Sequence, residues 1–111
     1  MNLRQRDIVE TNFLLPNGEM KPHFAIVVSN NELIEEEGII YLVLISSKEY
    51  HPEYCFEITN DMITSLTLSK KSCVKCHIIT STLDRFIFTK VGAVKKKYFD
   101  DIVDKIISSI F

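Results

Sequence analysis

The stretch Gly38-Ile39-Ile40-Tyr41-Leu42-Val43-Leu44-Ile45-Ser46 decides the fold. Its apolar residues are consecutive rather than alternating, the pattern of a strand covered on both faces, and the run is far short of the ~20 residues that cross a bilayer. Shorter strands are predicted around it. Asp7 to Phe13 alternates Ile8, Glu10 and Asn12 against Val9, Thr11 and Phe13, and His23 to Ser29, Tyr54 to Thr59, Ser72 to Ile79 and Phe86 to Val94 supply further candidates. Between the first two, Leu14 to Pro22 carries the Pro and Asn-Gly signals of an exposed loop, and the polar, acidic Asn30 to Glu37 reads as a connection.

The chain ends in a different period. Phe99, Ile102, Val103, Ile106, Ile107 and Ile110 recur at three- and four-residue steps, drawing an apolar stripe down a helix from about Lys96 to Ile110. Asp100 and Asp101 near its start suit the helix dipole, and the three preceding lysines oppose it. Ser81 and Asp84 have the Ser-x-x-Asp spacing of a short helix start. Short antiparallel strands with one terminal helix predict a mostly-β (α+β) protein, a small, strongly curved sheet or barrel.

The 111 residues, 46% apolar and 25% charged, show no repeat, linker or low-complexity tract and predict a single domain over 1–111. Such a chain buries roughly two-thirds of its unfolded surface, a core that stands without disulfide or metal staples. MNLRQRD leads into no apolar signal stretch, so a cytoplasmic protein is expected. There, three cysteines read as free thiols. The net charge of -2 speaks against a dedicated duplex-DNA binder, although Lys70, Lys71, Lys75, Lys90 and Lys95 to Lys97 leave a local basic face open in the second half. Glu32 and Glu35 to Glu37 read as a solvated surface.

The most chemical segment is Ser72-Cys73-Val74-Lys75-Cys76-His77-Ile78-Ile79. Strand alternation sends Cys73, Lys75, His77 and Ile79 to one face and Val74, Cys76 and Ile78 to the other, so an amine and an imidazole can share one surface and approach one phosphate. The plain alternative is a solvated strand face. Cys73 to His77 also matches the C-x-x-C-H attachment motif for haem. No haem is expected, because attachment takes place after export and a strand points the two thiols apart. No metal site is expected either, since the cysteines and His51 lack a second pair at finger-like spacing, and Cys76 reads as a small core residue. No Gly-rich phosphate loop, Gly-x-Ser-x-Gly elbow or His-Glu-x-x-His is present.

RDIVETNF (6–13), the loop with Pro16, HFAIVVSN (23–30), LVLISS (42–47), SCVKCHI (72–78) and the terminal helix come in an order that resembles the MazF/PemK family of toxin endoribonucleases over nearly the whole chain. The resemblance implies an SH3-like antiparallel β-barrel with a C-terminal α-helix. It also implies a homodimer, metal-independent and cofactor-free cleavage of single-stranded RNA by 2′-hydroxyl attack, and inhibition by a cognate acidic antitoxin. Where members of that family open the second strand with Arg-Pro, the register places His23-Phe24, with Lys21-Pro22 two residues earlier. Ser46-Ser47 stands for a Thr-Ser pair, and Val74-Lys75-Cys76-His77 for Val-Arg-Cys-Asp.

This register makes His23, Lys75, His77 and Ser46 the catalytic candidates, with Lys21, Phe24, Ser47, His51 and Lys95 as candidates for RNA contact. Histidine suits proton transfer because its ordinary pKa is about 6.5, and lysine suits charge stabilisation. For His51 the alternative is a plain turn residue, and for Lys95 to Lys97 a solvated helix start. Two rival functions stay open: a catalytically inactive binding module of the same fold for protein or RNA, and a gyrase poison. The latter depends in related toxins on a Trp-bearing helix end, whereas this chain has no Trp and ends Ile110-Phe111.

Overall fold

The computed structural model describes residues 2–48 and 51–111. Strands β1 (Asp7–Leu14), β2 (Met20–Val27), β3 (Ile39–Ser46), β4 (Cys55–Ile58), β5 (Ile63–Thr64), β6 (Ser72–Leu83) and β7 (Thr89–Val94) form one antiparallel sheet in the order β4-β6-β3-β2-β1-β7-β5. Helix α1 (Asn31–Glu37) joins β2 to β3, and α2 (Lys96–Ile110) ends the chain.

Connectivity forces the sheet to curl. Seven strands laid flat would put the edges about 29 Å apart at ~4.8 Å per gap, yet the edge strands β4 and β5 are joined by Thr59 to Met62, a link that spans at most about 18 Å. Ile58 at the end of one edge and Ile63 at the start of the other belong to a single core with Ile8, Ile26, Val43, Val74 and Cys76. Phe99 and Ile102 of α2 close that core. The fold is therefore barrel-like, mostly β with a terminal helix, as expected, and no ladder joins β4 to β5 among the described residues. A second core of Val9, Ala25, Val27, Ile40, Leu42 and Leu44 lies on the other face. Strand β3 feeds both, with Val43 and Ile45 on one side and Leu42 and Leu44 on the other, which is why its sequence does not alternate.

Several expectations are corrected. The predicted loop through Pro22 is shorter: Gly18 takes a left-handed φ of 88°, its N–H donates to Leu15 O at 2.9 Å, and β2 already runs from Met20. Pro22 is tolerated in the strand because β3 pairs only with Ala25 to Val27, leaving this end of β2 an edge on that side. The acidic connection is a helix. Asn30 Oδ1 accepts the Leu33 N–H at 2.8 Å, and Gly38, left-handed at φ 66°, ends it, so β3 begins at Ile39. Ser81 lies inside β6 opposite Tyr41, and the short helical turn starts at Asp84. Along α2 the inward stripe stops at Ile106; Ile107 is 53% exposed. Asp100 serves this helix as the partner of Lys96, at 2.8 Å, rather than in its first turn.

The cysteines also differ from expectation. Cys55 and Cys73, neighbours across the β4–β6 ladder, form a disulfide, leaving Cys76 as the free thiol, buried in the first core. Burial pushes the Cys76 pKa up to about 11.

Candidate active site

Register builds the site. Ala25 is opposite Leu44 and Leu44 opposite Lys75, so two residues further toward the end of β3 His23 comes level with Ser46, which is itself opposite Cys73. His23, Phe24, Ser46 and Ser47 line one cleft of about 380 Å³, together with Lys48 and Lys70. Glu10 of β1 and Pro22 complete its near wall.

His23 is half-buried, and its Nε2 is shielded from solvent with no hydrogen-bond partner among the described residues. Burial holds its pKa below the ordinary 6.5, and the positive charges of Lys21 and Lys48 push the same way. Both effects favour the neutral imidazole. Ser46 Oγ accepts the Lys48 N–H at 3.1 Å, which fixes the hydroxyl and leaves its own proton for donation. Phe24 packs one side of its ring against the first core and turns another to the cleft.

The other candidates lie elsewhere. Lys75 is only 3% exposed, facing Leu44 and Cys55 across its two ladders, so it sits beneath the surface rather than on it. His77 joins a separate cluster, with its ring 4.6 Å from Tyr54 and 6.1 Å from His51, centroid to centroid. Its pKa is lowered by burial first, then by the charges of His51 and Lys75, with Glu53 opposing. The predicted alternation holds from Cys73 to Cys76 and then breaks. Pairing with β3 jumps from Lys75 to Ile79 while β3 advances one residue, so Ile78 packs on the second core and Ile79 on the first, the reverse of the expectation. Lys21 is exposed and paired with Glu19 at 2.6 Å; it acts on His23 through charge, and His23 rather than Lys21 lines the cleft. Lys95 donates to Asp61 O at 2.7 Å, on the far edge by β5.

Lys48 was not singled out in the sequence, although it follows the Ser46-Ser47 pair directly, and Lys70 entered only as one of the lysines of the basic second half. Asp7, in the RDIVETNF anchor, is structural: buried, it accepts the Arg4 N–H at 2.7 Å and pairs with Lys90 at 3.2 Å. Among the described residues no group of three or more His, Cys, Asp or Glu could hold a metal ion, and no helix is long and apolar enough to cross a membrane.

Comparison with known proteins agrees with this architecture. Residues 4–110 match the family model described as PemK-like, MazF-like toxin of type II toxin-antitoxin system, and the chain belongs to that family. MazF from Deinococcus radiodurans superposes with a TM-score of 0.75 at 13% identity, over 98% of this chain and 96% of that one. An endoribonuclease from a Mycobacterial species gives 0.74 at 15%, over 98% and 92%. A Mycobacterial endoribonuclease in complex with its cognate antitoxin gives 0.70 at 11%, over 97% and 94%. A search of curated protein sequences finds no match.

Proposed function

We propose that this toxin is a metal-independent endoribonuclease that cuts single-stranded RNA at short sequences. The observation that carries the reading is that His23, whose Nε2 has no hydrogen-bond partner among the described residues, lines one cleft with Ser46, its hydroxyl oriented by the Lys48 N–H, and with Lys48. RNA brings its own nucleophile. His23 takes the 2′-hydroxyl proton, the 2′-oxygen bonds to phosphorus, and the bond to the 5′-oxygen breaks as Lys48 supplies a proton to it. The products are a 2′,3′-cyclic phosphate and a 5′-hydroxyl. Ser46 donates to a non-bridging oxygen as charge develops, and buried Lys75, two register rows away, adds positive potential from below. Phe24 and Ser47 contact the RNA at the cleft, and the His51–Tyr54–His77 cluster offers rings to a base further along the strand.

The solved relatives that carry an antitoxin support a similar partner here: a small acidic protein whose extended segment occupies the same cleft of a cytoplasmic homodimer. The test is to incubate the purified protein with mixed-sequence RNA in excess EDTA and map the new ends. Cyclic phosphate ends in EDTA support the reading, and cutting that EDTA abolishes overturns its metal independence. His23 standing where the family carries arginine favours a second reading, an inactive module that binds RNA or protein; absence of cutting under every condition selects it.

A further inference from the structure

The reacting cleft is not isolated. A second cleft of about 360 Å³ adjoins it, and Leu68, Ser69 and Lys70 line both. This shared wall is pinned from two sides. The Asn60 side chain accepts the Leu68 N–H at 2.8 Å and donates to the Leu68 carbonyl at 3.3 Å, and the buried Ser72 hydroxyl donates to the Lys70 carbonyl at 2.9 Å. The Lys70 main chain is thereby held at the crest between the clefts, with its side chain exposed.

Its charge is uncommitted. Lys71 pairs with Glu57 at 3.3 Å, Lys90 with Asp7 and Lys96 with Asp100, whereas Lys70 has no salt-bridge partner among the described residues. The acidic residue lining the second cleft is Glu57, which Lys71 offsets, and the remaining polar lining, Thr59, Asn60 and Ser69, consists of amide and hydroxyl groups suited to sugar and base edges.

Resting on the nuclease reading above, we propose that the RNA strand leaves the His23–Ser46 cleft over Lys70 and continues into the cleft beside Asn60. Lys70 binds a phosphate next to the scissile one and makes the enzyme favour substrates long enough to reach the second cleft. The strand's negative charge, the continuity of the two clefts and the exposed lysine on their pinned shared wall all point to this course.

The test uses the full chain and synthetic RNA oligonucleotides that carry one mapped cleavage sequence, extended by zero to four nucleotides on either side. Wild type is expected to gain kcat/KM with extension on one side only. Lys70→Ala should cut that gain about fivefold or more and flatten its dependence on salt, Lys70→Glu should remove it, and Lys70→Arg should keep it. A Lys70→Ala gain within twofold of wild type, or a loss equal at every length, overturns the proposal. Should wild type leave every oligonucleotide intact, the nuclease reading fails separately. Fluorescence anisotropy on the same series then decides: length-dependent binding that Lys70→Ala weakens supports the path, and binding unaffected by Lys70→Ala overturns it.

Discussion

Tyr54 lies over His77 with ring centroids 4.6 Å apart and planes inclined by 37°, and this contact helps to keep water from the imidazole. His77 Nδ1 is shielded and has no hydrogen-bond partner among the described residues. Burial is the largest cause of its lowered pKa, so His77 should titrate below 6.5 in an NMR titration, and Tyr54→Ala should raise the midpoint toward 6.5. An unchanged midpoint would assign the desolvation to other neighbours.

His23 and His77 both sit below the ordinary histidine value, which sets the sign of a pH effect on stability. Between the folded values and about 6.5 the unfolded chain binds more protons, so stability rises with pH through that window. Urea midpoints should fall as pH is lowered from about 6.5 through the folded pKa values. The decline should be smaller in the His23→Gln, His77→Gln double variant.

If His23 is the general base, its lowered pKa keeps activity high below pH 6.5, and the acid limb of kcat/KM reports that pKa. Lys48→Met removes a positive neighbour and should move the limb upward, at a cost in rate. A limb that does not move would separate the base from His23.

His23→Ala and Ser46→Ala should each reduce cleavage by about 10² or more with the fold intact by circular dichroism, the scale of losing a proton acceptor or an oxyanion donor. Ser46→Thr should recover much of the rate because it restores the hydroxyl. Equal activity in His23→Ala and wild type would remove the central residue of the mechanism.

The Cys55–Cys73 bridge closes a loop with a sequence separation of 18, so reduction or Cys55→Ser should lower stability by about 3 kcal/mol. Thiol labelling checks its formation. In the oxidised native protein Cys76 is buried with a raised pKa and should resist labelling, and after unfolding without reductant one thiol per chain should react.

Gly92 on β7 lies directly under the backbone carbonyl of Thr64, where any Cβ would collide with that carbonyl and crowd Leu66. Gly92→Ala is therefore expected to cost about 1–3 kcal/mol in chemical denaturation. Because β5 leads into the segment that carries Lys70, weaker RNA binding should accompany the loss.

How far the sequence could be read depended on the range of the forces involved. The unbroken apolar run of β3, the alternation in β1 and the helical period of α2 report burial by each element's own neighbours, and these features were legible. Helix α1 has only seven residues, too few to show a period, and its evidence lay in the caps Asn30 and Gly38. The bulge between Lys75 and Ile79 is set by pairing with β3, more than 30 residues away along the chain, so alternation could not reveal that His77 turns toward Tyr54. The bridge between Cys55 and Cys73 likewise depends on β4 lying beside β6. The candidates His23, Phe24, Ser46 and Ser47 could be named because they lie at strand ends that the family register locates, whereas Lys48 carried no pattern of its own and Lys70 entered only as one lysine of the basic second half.

The place of β1 between β2 and β7 has a consequence for synthesis. Its hairpin partner emerges from the ribosome almost at once, but its other neighbour follows roughly 75 residues later, ~4–15 s at ~5–20 residues per second. Until then β5 has no strand to pair with, and the segment bearing Lys70 has no anchored base. A nascent chain thus carries an unfinished cleft for most of its translation, and the toxin is armed only as its last strand and terminal helix appear.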